Sequence, residues 1–450
     1  RQLQEDINTT SSSQVFNLYA KQTYLDNIIR GGYPVIFQNN NGTRSVFYIY
    51  TRKHGDLERD YNRFQIQPSY LSQGNGNYRD VNQNRRCNIW FIPEINDYDV
   101  ITFLNLIQSD GFNPLVLEGT GFIADNINNL TDILRDIVEP NDMQSLKSFL
   151  ANPFTPGELI FFIEENRIKL KVNYDEFLEA LIPHCHPIQK AHHSDGYWID
   201  HWHYNLDLLE NYLGIYPEKL EELIFDKKTF VFFDNATMVK PRSKKYVLTD
   251  KGVRQYKSVF LDETKLKMLE ERTEQPYWAR IQYGKGQIYQ TCLINKLLCL
   301  VVNKLASLDP FGIGIEMEAD KPNWFDALNG LPALLGSSLC ETQELKRLVV
   351  FIQDAIQKTK RTKIYVTEEI YSFLVELAQL TERYLQDDAP DKDFKYWDQT
   401  HTLKENYRDK TKFGFSGKEL EMSTQQLNTI LENMLKKIEE GIAKAFDKKR

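Results

Sequence analysis

No CxxC pair occurs among the five cysteines, which are scattered at Cys87, Cys185, Cys292, Cys299 and Cys340. Their spacing excludes the common zinc knuckles and offers no disulfide framework, so a reducing, cytoplasmic setting is expected. No apolar run approaches the roughly 18–20 residues that a membrane-spanning helix needs. Basic excess is missing as well: 55 Lys and Arg stand against 63 Asp and Glu, a formal net charge of -8. A protein working on phosphate backbones carries a basic face, so nucleic acid is not expected as a partner. The sequence shows neither an internal repeat nor a low-complexity tract.

What is present is a long globular chain. At 450 residues it exceeds one ordinary core, although a toroid of helices reaches this size as a single unit. The aromatic content of 12%, with 24 Tyr and 26 Phe, suits either an aromatic core or a protein that grips flat, hydroxylated ligands. The chain starts at Arg1 and runs out within a helical pattern, LNTILENMLKKIEEGIAKAFDKKR, which reads as a piece of something longer.

QVFNLYAKQTYLDNIIRGG has helical spacing and a double-glycine stop, followed by PVIFQ and SVFYIYTR as a hairpin around NNNGT. From about residue 98, apolar residues recur at i, i+3, i+4 and i+7 in segment after segment, including VITFLNLI, MQSLKSFL, YDEFLEALI, YNLDLLENYL, YQTCLINKLLCLVVNKLASL and EEIYSFLVELAQLTERYL. KYVLTDKGVRQYKSVFLD, near 244–261, is the one later segment that reads as β. The pattern predicts a mainly α chain: a linker helix over 1–30, then a helical domain over 31–450 with its site on loops at one end.

Three of the predicted loops carry chemistry. NYRDVNQNRRCN (77–88) offers Arg79, Asp80, Asn82, Gln83, Asn84, Arg85 and Arg86, donors and acceptors suited to sugar hydroxyls or to an Arg–Asp network tying a loop down. PHCHPIQKAHHSDGYWIDHWHYN (183–205) holds six of the eight histidines. Its HxH pairs, His184 with His186 and His201 with His203, raise the question of a metal. The interleaved Tyr197, Trp198 and Trp202 fit a ligand-stacking wall better, because short HxH matches arise often by chance. GIGIEMEADKPNWFDALNGLPALLGSS (312–338) sets Glu316, Glu318, Asp320 and Asp326 near Trp324. A carboxylic acid beside an indole is what glycosidic cleavage asks of its proton donor; a capped helix start is the plain alternative.

NYRDVNQNRR resembles the arginine-led FRDxNQD-type segment of cellobiose-phosphorylase-like enzymes, the glycoside phosphorylases of glycoside hydrolase family 94. NWFDALNG is similar to that family's DWNDGMN segment, and the two stand in the family's order. DHWHYNLDLLENYL looks, more loosely, like its DDHLWLP segment. The resemblance covers roughly residues 70–345 and implies an (α/α)6 toroid of the six-hairpin glycosidase superfamily, incomplete at its C-terminal end.

By that resemblance Asp326 matches the general acid and Trp324 lines the sugar subsite. Arg79, Asp80, Asn82 and Gln83 match the segment that holds the sugar at the non-reducing end, while Asp200, His201 and Trp202 would form part of the site wall. The family's acidic residue after NQ is Asn84 here, and Asn323 stands where the family has an acid before the tryptophan. The family's phosphate-binding histidine and Thr/Gly segment find no counterpart in 400–450.

The implied activity is inverting cleavage of a β-glucosidic bond in a cellobiose-like or β-glucan oligosaccharide. No cofactor is expected, with inorganic phosphate as co-substrate and a homodimer as the family's habit. A hydrolase of the same superfamily would need a base about 6.5–9.5 Å from the acid. Glu318, Asp320, Asp200 and Asp195 are candidates for it, and Glu318 is also a candidate sugar contact. A non-catalytic sugar-binding fragment is the third reading.

Overall fold

The computed structural model describes residues 8–38, 44–49, 70–194, 196–255, 257–319 and 336–446. The chain is mainly helical, with small two- and three-stranded sheets. None of the described helices is long and apolar enough to cross a membrane. The chain separates into two compact units, cut differently from the expected division at residue 30. The first holds 1–102, 115–192 and 207–215; the second holds 103–114, 193–206 and 216–450.

In the first unit, helix Gln14–Gly31 starts at Ser13, whose side chain accepts the Phe16 N–H, and stops at Gly32 with φ at 93°. Only glycine takes that backbone without strain, which is why the double glycine ends the helix. The expected hairpin follows, Tyr33–Gln38 against Arg44–Ile49. Strand Val116–Ala124 is the centre of a three-stranded antiparallel sheet, flanked by Gly76–Asn77 and Cys185–His192. Phe47, Phe122, Phe154 and Phe177 pack with Leu134, Leu150, Leu159 and Leu181 into one core. Those leucines come from helices Leu130–Ile137, Met143–Leu150, Pro156–Glu165 and Tyr174–Leu181.

In the second unit, helix Leu293–Leu305 is buried along its whole length, including Asn295, Lys296, Asn303 and Lys304. Helices Leu339–Thr359, Glu368–Gln386, Lys392–Thr411 and Thr424–Lys444 make up most of the rest. The β-like segment near 244–261 forms hairpin Tyr246–Thr249 with Gly252–Gln255, and Val259–Leu261 pairs with Thr237–Val239. It is not the one later β segment. Val116–Ala124, Cys185–His192 and the pair Lys363–Thr367 with Glu419–Ser423 are strands too.

Candidate functional site

The arginine-led segment, expected as a loop, is helix Tyr78–Arg85 in the first unit. The Asn77 side chain accepts the Arg79 N–H and starts it, and Asp80 in its first turn suits the positive end of the helix. Arg79 Nη2 lies 3.1 Å from Asp80 Oδ1. Asn82 is fully buried, and Gln83 is half-buried. The two arginines that follow have local partners. Arg85 donates to Gly31 O at 2.7 Å and lies over the Tyr48 ring, and Arg86 pairs with Asp207 at 2.6 Å. Tyr48 in turn donates to Asp99 at 2.6 Å. Burial pushes the Asp99 carboxyl up to about 6, with Arg85 and Tyr48 opposing it. Half of this segment is therefore an internal tie, as the Arg–Asp alternative held.

The first unit also has a groove of about 870 Å³ whose lining includes Tyr70, Glu118, Phe161, Glu165 and Lys190. None of residues 79–83 lines it.

The histidine stretch divides between the units. Its first part is a strand, Cys185–His192, on which His186 pairs with Asp125 at 2.8 Å and His192 with Glu118 at 3.3 Å. Among the described residues, no three His, Cys, Asp or Glu side chains gather as a metal would need.

The second part, described over 193–194 and 196–203, lies in the second unit and includes a turn packed by its aromatic residues. Tyr197 stacks on Phe112 at 5.0 Å and donates to Gln108 and to Thr237 O. Trp198 and His201 lie nearly parallel, 6.1 Å apart. Tyr204 donates to Asp200 Oδ2 at 3.0 Å. Asp200, His201 and Trp202 are all buried, where an open stacking wall was expected. Lys304 Nζ sits 4.6 Å from the centre of the Phe112 ring and 5.7 Å from that of Trp202.

Asp326, Trp324 and Asp320 lie outside the described residues, as does Asp195. Both flanks of 320–335 are described. Ile315–Glu316 pairs antiparallel with Ser337–Ser338, drawing the two flanks together. On the leading flank Ala319 packs with Phe112 and Tyr197. On the trailing flank Glu341, in the first turn of helix Leu339–Thr359, comes within 3.5 Å of His203 Nε2. The described residues on either side of 320–335 thus both reach the turn that bears Asp200–His203, Ala319 by packing with Tyr197 and Glu341 by its approach to His203.

Glu318 is the one site candidate whose surroundings change its expected role. It is buried among Arg408 at 2.6 Å, Lys404 at 3.1 Å and Lys245 at 3.4 Å. Burial alone would raise its carboxyl, but Arg408, Lys404 and Lys245 outweigh burial and hold it well below the usual carboxylate range. A carboxylate so compensated has little tendency to take a proton, so Glu318 does not suit the role of base. Its neighbour Glu316 accepts from Trp397 Nε1 at 2.6 Å and lies 3.0 Å from His401 Nε2. Glu341, which no motif pointed to, has the opposite character. Burial pushes its carboxyl well above the usual range, Asp200 adds to this, and Lys304 partly offsets it. Its position just after the glycine-rich end of the 312–338 segment was the available signal.

No protein-family model matches the chain, and no curated protein is detectably similar to it.

Proposed function

We propose that the chain belongs to an inverting carbohydrate-active enzyme that cleaves a β-glucosidic bond in a cellobiose-like or β-glucan oligosaccharide, by phosphorolysis, with Asp326 as general acid. The observation that supports this reading is that residues on both sides of 320–335, Ala319 beside Tyr197 and Glu341 at His203, reach the turn that bears Asp200, His201 and Trp202. The helical content is compatible with an (α/α)6-type barrel, which the proposal includes, and a cytoplasmic location goes with it.

In this mechanism Asp326 gives its proton to the glycosidic oxygen as the bond to the anomeric carbon breaks. Phosphate attacks that carbon from the opposite face, and the product is a sugar 1-phosphate of inverted configuration. Only one protein carboxyl is needed, because phosphate replaces the base and its water. Trp324 would wall the sugar subsite. Arg79, Asp80, Asn82 and Gln83 would hold the sugar's hydroxyls.

The test is incubation with cello-oligosaccharides, with and without orthophosphate, read by NMR for the anomer formed. Phosphate-dependent release of an α-sugar 1-phosphate is expected, and Asp326→Asn should abolish it while leaving the circular dichroism spectrum unchanged. Release of free sugar without phosphate would make the enzyme a hydrolase. Undiminished turnover in Asp326→Asn would end the proposal.

A further inference from the structure

The carboxyl that the site reading leaves unexplained is Glu341. It is buried at the start of helix Leu339–Thr359, at the third position, where its N–H is offered to the Ser338 hydroxyl at 3.5 Å. Capping needs only that backbone group, and an exposed glutamate would serve the helix end as well. Instead the side chain turns inward. Its Oε1 lies 3.5 Å from His203 Nε2, while Glu344, one turn on, approaches His203 Nδ1 at 4.0 Å. Asp200 is the acid that adds most to the upward push that burial gives the Glu341 carboxyl.

We propose that Glu341 is a positioning residue of the sugar site: from the first turn of its helix its carboxyl meets His203 and holds the Asp200–His203 turn in its working shape. The proposal rests on the function proposed above for the site, and Glu341 acts through the turn rather than on the sugar.

The charges around Glu341 determine how this depends on pH. Asp200 and His203 face it from the turn, Glu344 from its own helix, and Lys304 from helix Leu293–Leu305. One cation among three carboxyls in a buried site favours keeping a proton on Glu341. A protonated carboxyl can donate a hydrogen bond as well as accept one, whereas the ionised form can only accept and repels Asp200. A group whose folded-state pKa is raised stabilises fully at low pH and loses that contribution as pH climbs through the folded-state value. The turn should therefore loosen on the alkaline side, and sugar turnover should fall with it.

Two variants and two measurements test this. Glu341→Gln keeps the donor and the shape but cannot ionise, and Glu341→Ala removes both. Turnover of a cello-oligosaccharide with orthophosphate, followed from pH 5 to 9, should fall at high pH in the wild type. Glu341→Gln should keep neutral-pH turnover and lose that alkaline fall. Glu341→Ala should lose about tenfold or more of kcat/KM, the change that one pKa unit of interaction corresponds to. Overlapping profiles for all three proteins would overturn the proposal.

The thermal midpoint over the same pH range reads Glu341 without any sugar. The wild type should lose more stability on the alkaline side than Glu341→Gln, and equal slopes would also overturn the proposal. If the wild type turns over no oligosaccharide at any pH, the functional reading has failed, and the thermal slopes still decide whether Glu341 carries the proton assigned to it.

Discussion

At the scale of single residues, the chemistry of a carboxyl follows from the charges around it. Glu318 and Glu341 are both buried glutamates of the second unit, yet Arg408, Lys404 and Lys245 hold the first well below the usual carboxylate range, while burial, with Asp200 adding to it, pushes the second well above it. Removing one partner of a buried ion pair strands the others without solvent, which costs about 3–5 kcal/mol. Glu318→Ala should accordingly destabilise the protein by an amount in that range, read from the drop in urea midpoint multiplied by the m-value. An unchanged midpoint would show that Lys245, Lys404 and Arg408 do not depend on this carboxylate. Because the folded-state pKa of Glu318 is depressed, its contribution is present above the unfolded-state value of about 4.3 and is lost as pH falls further. The wild type should therefore lose more stability than Glu318→Ala when both are titrated below pH 4. Burial lowers the Lys404 amine to about 7, helped by Arg408 and Lys245 and opposed by Glu318, so this cluster should also gain charge as pH drops through neutrality.

At the scale of elements, helices with an apolar stripe were legible and those with a polar buried face were not. Helix Lys392–Thr411 went unread because His401, Lys404 and Arg408 take the inward positions that apolar residues usually fill. Their partners, Glu316 and Glu318, lie far away in sequence, so no local periodicity signals the helix. Helix Tyr78–Arg85 was missed for a related reason. Its asparagines and the Gly/Asn-rich lead SQGNGN read as turn-formers, and its buried Asp80 and Asn82 give no apolar pattern.

Helix Pro156–Glu165 begins with a complete capping box: Thr155 Oγ1 accepts the Glu158 N–H, and the Glu158 carboxylate accepts the Thr155 N–H at 2.7 Å. That signature stood in the sequence as TPGE, with proline at the first helical position. Thr155→Ala should cost about 1 kcal/mol of stability, measured as a shift in the denaturation midpoint.

At the scale of the whole molecule, the chain passes between the two compact units several times, each unit being built from three separate stretches of sequence. The first compact unit takes in the predicted N-terminal helix, the hairpin and the three-stranded sheet together. Thiol labelling reports on both units at once. All five cysteines are free: Cys340 is exposed, Cys87 is half-buried, and Cys185, Cys292 and Cys299 are buried. Burial pushes the Cys185 thiol up to about 12 and those of Cys292 and Cys299 up to about 11, which removes the reactive thiolate at neutral pH. Under native conditions iodoacetamide should modify Cys340 first and leave those three last, with all five labelled after denaturation. Early modification of Cys185 or Cys299 would contradict the packing around them.

The sequence by itself determined what depends on neighbours within a turn or two: the glycine stop at Gly32, the hairpin over 33–49, the capping side chains and the apolar helices. Such features are local, because caps, turns and periodicity involve residues only a few positions apart. Tertiary structure alone decided which charges neutralise one another. Glu318 meets Lys245, Lys404 and Arg408 across separations of 73, 86 and 90 residues, and Glu341 meets a histidine from a different segment. A carboxyl's protonation depends on the charges and solvent a few ångströms away, and folding supplies those from parts of the chain that no short window contains.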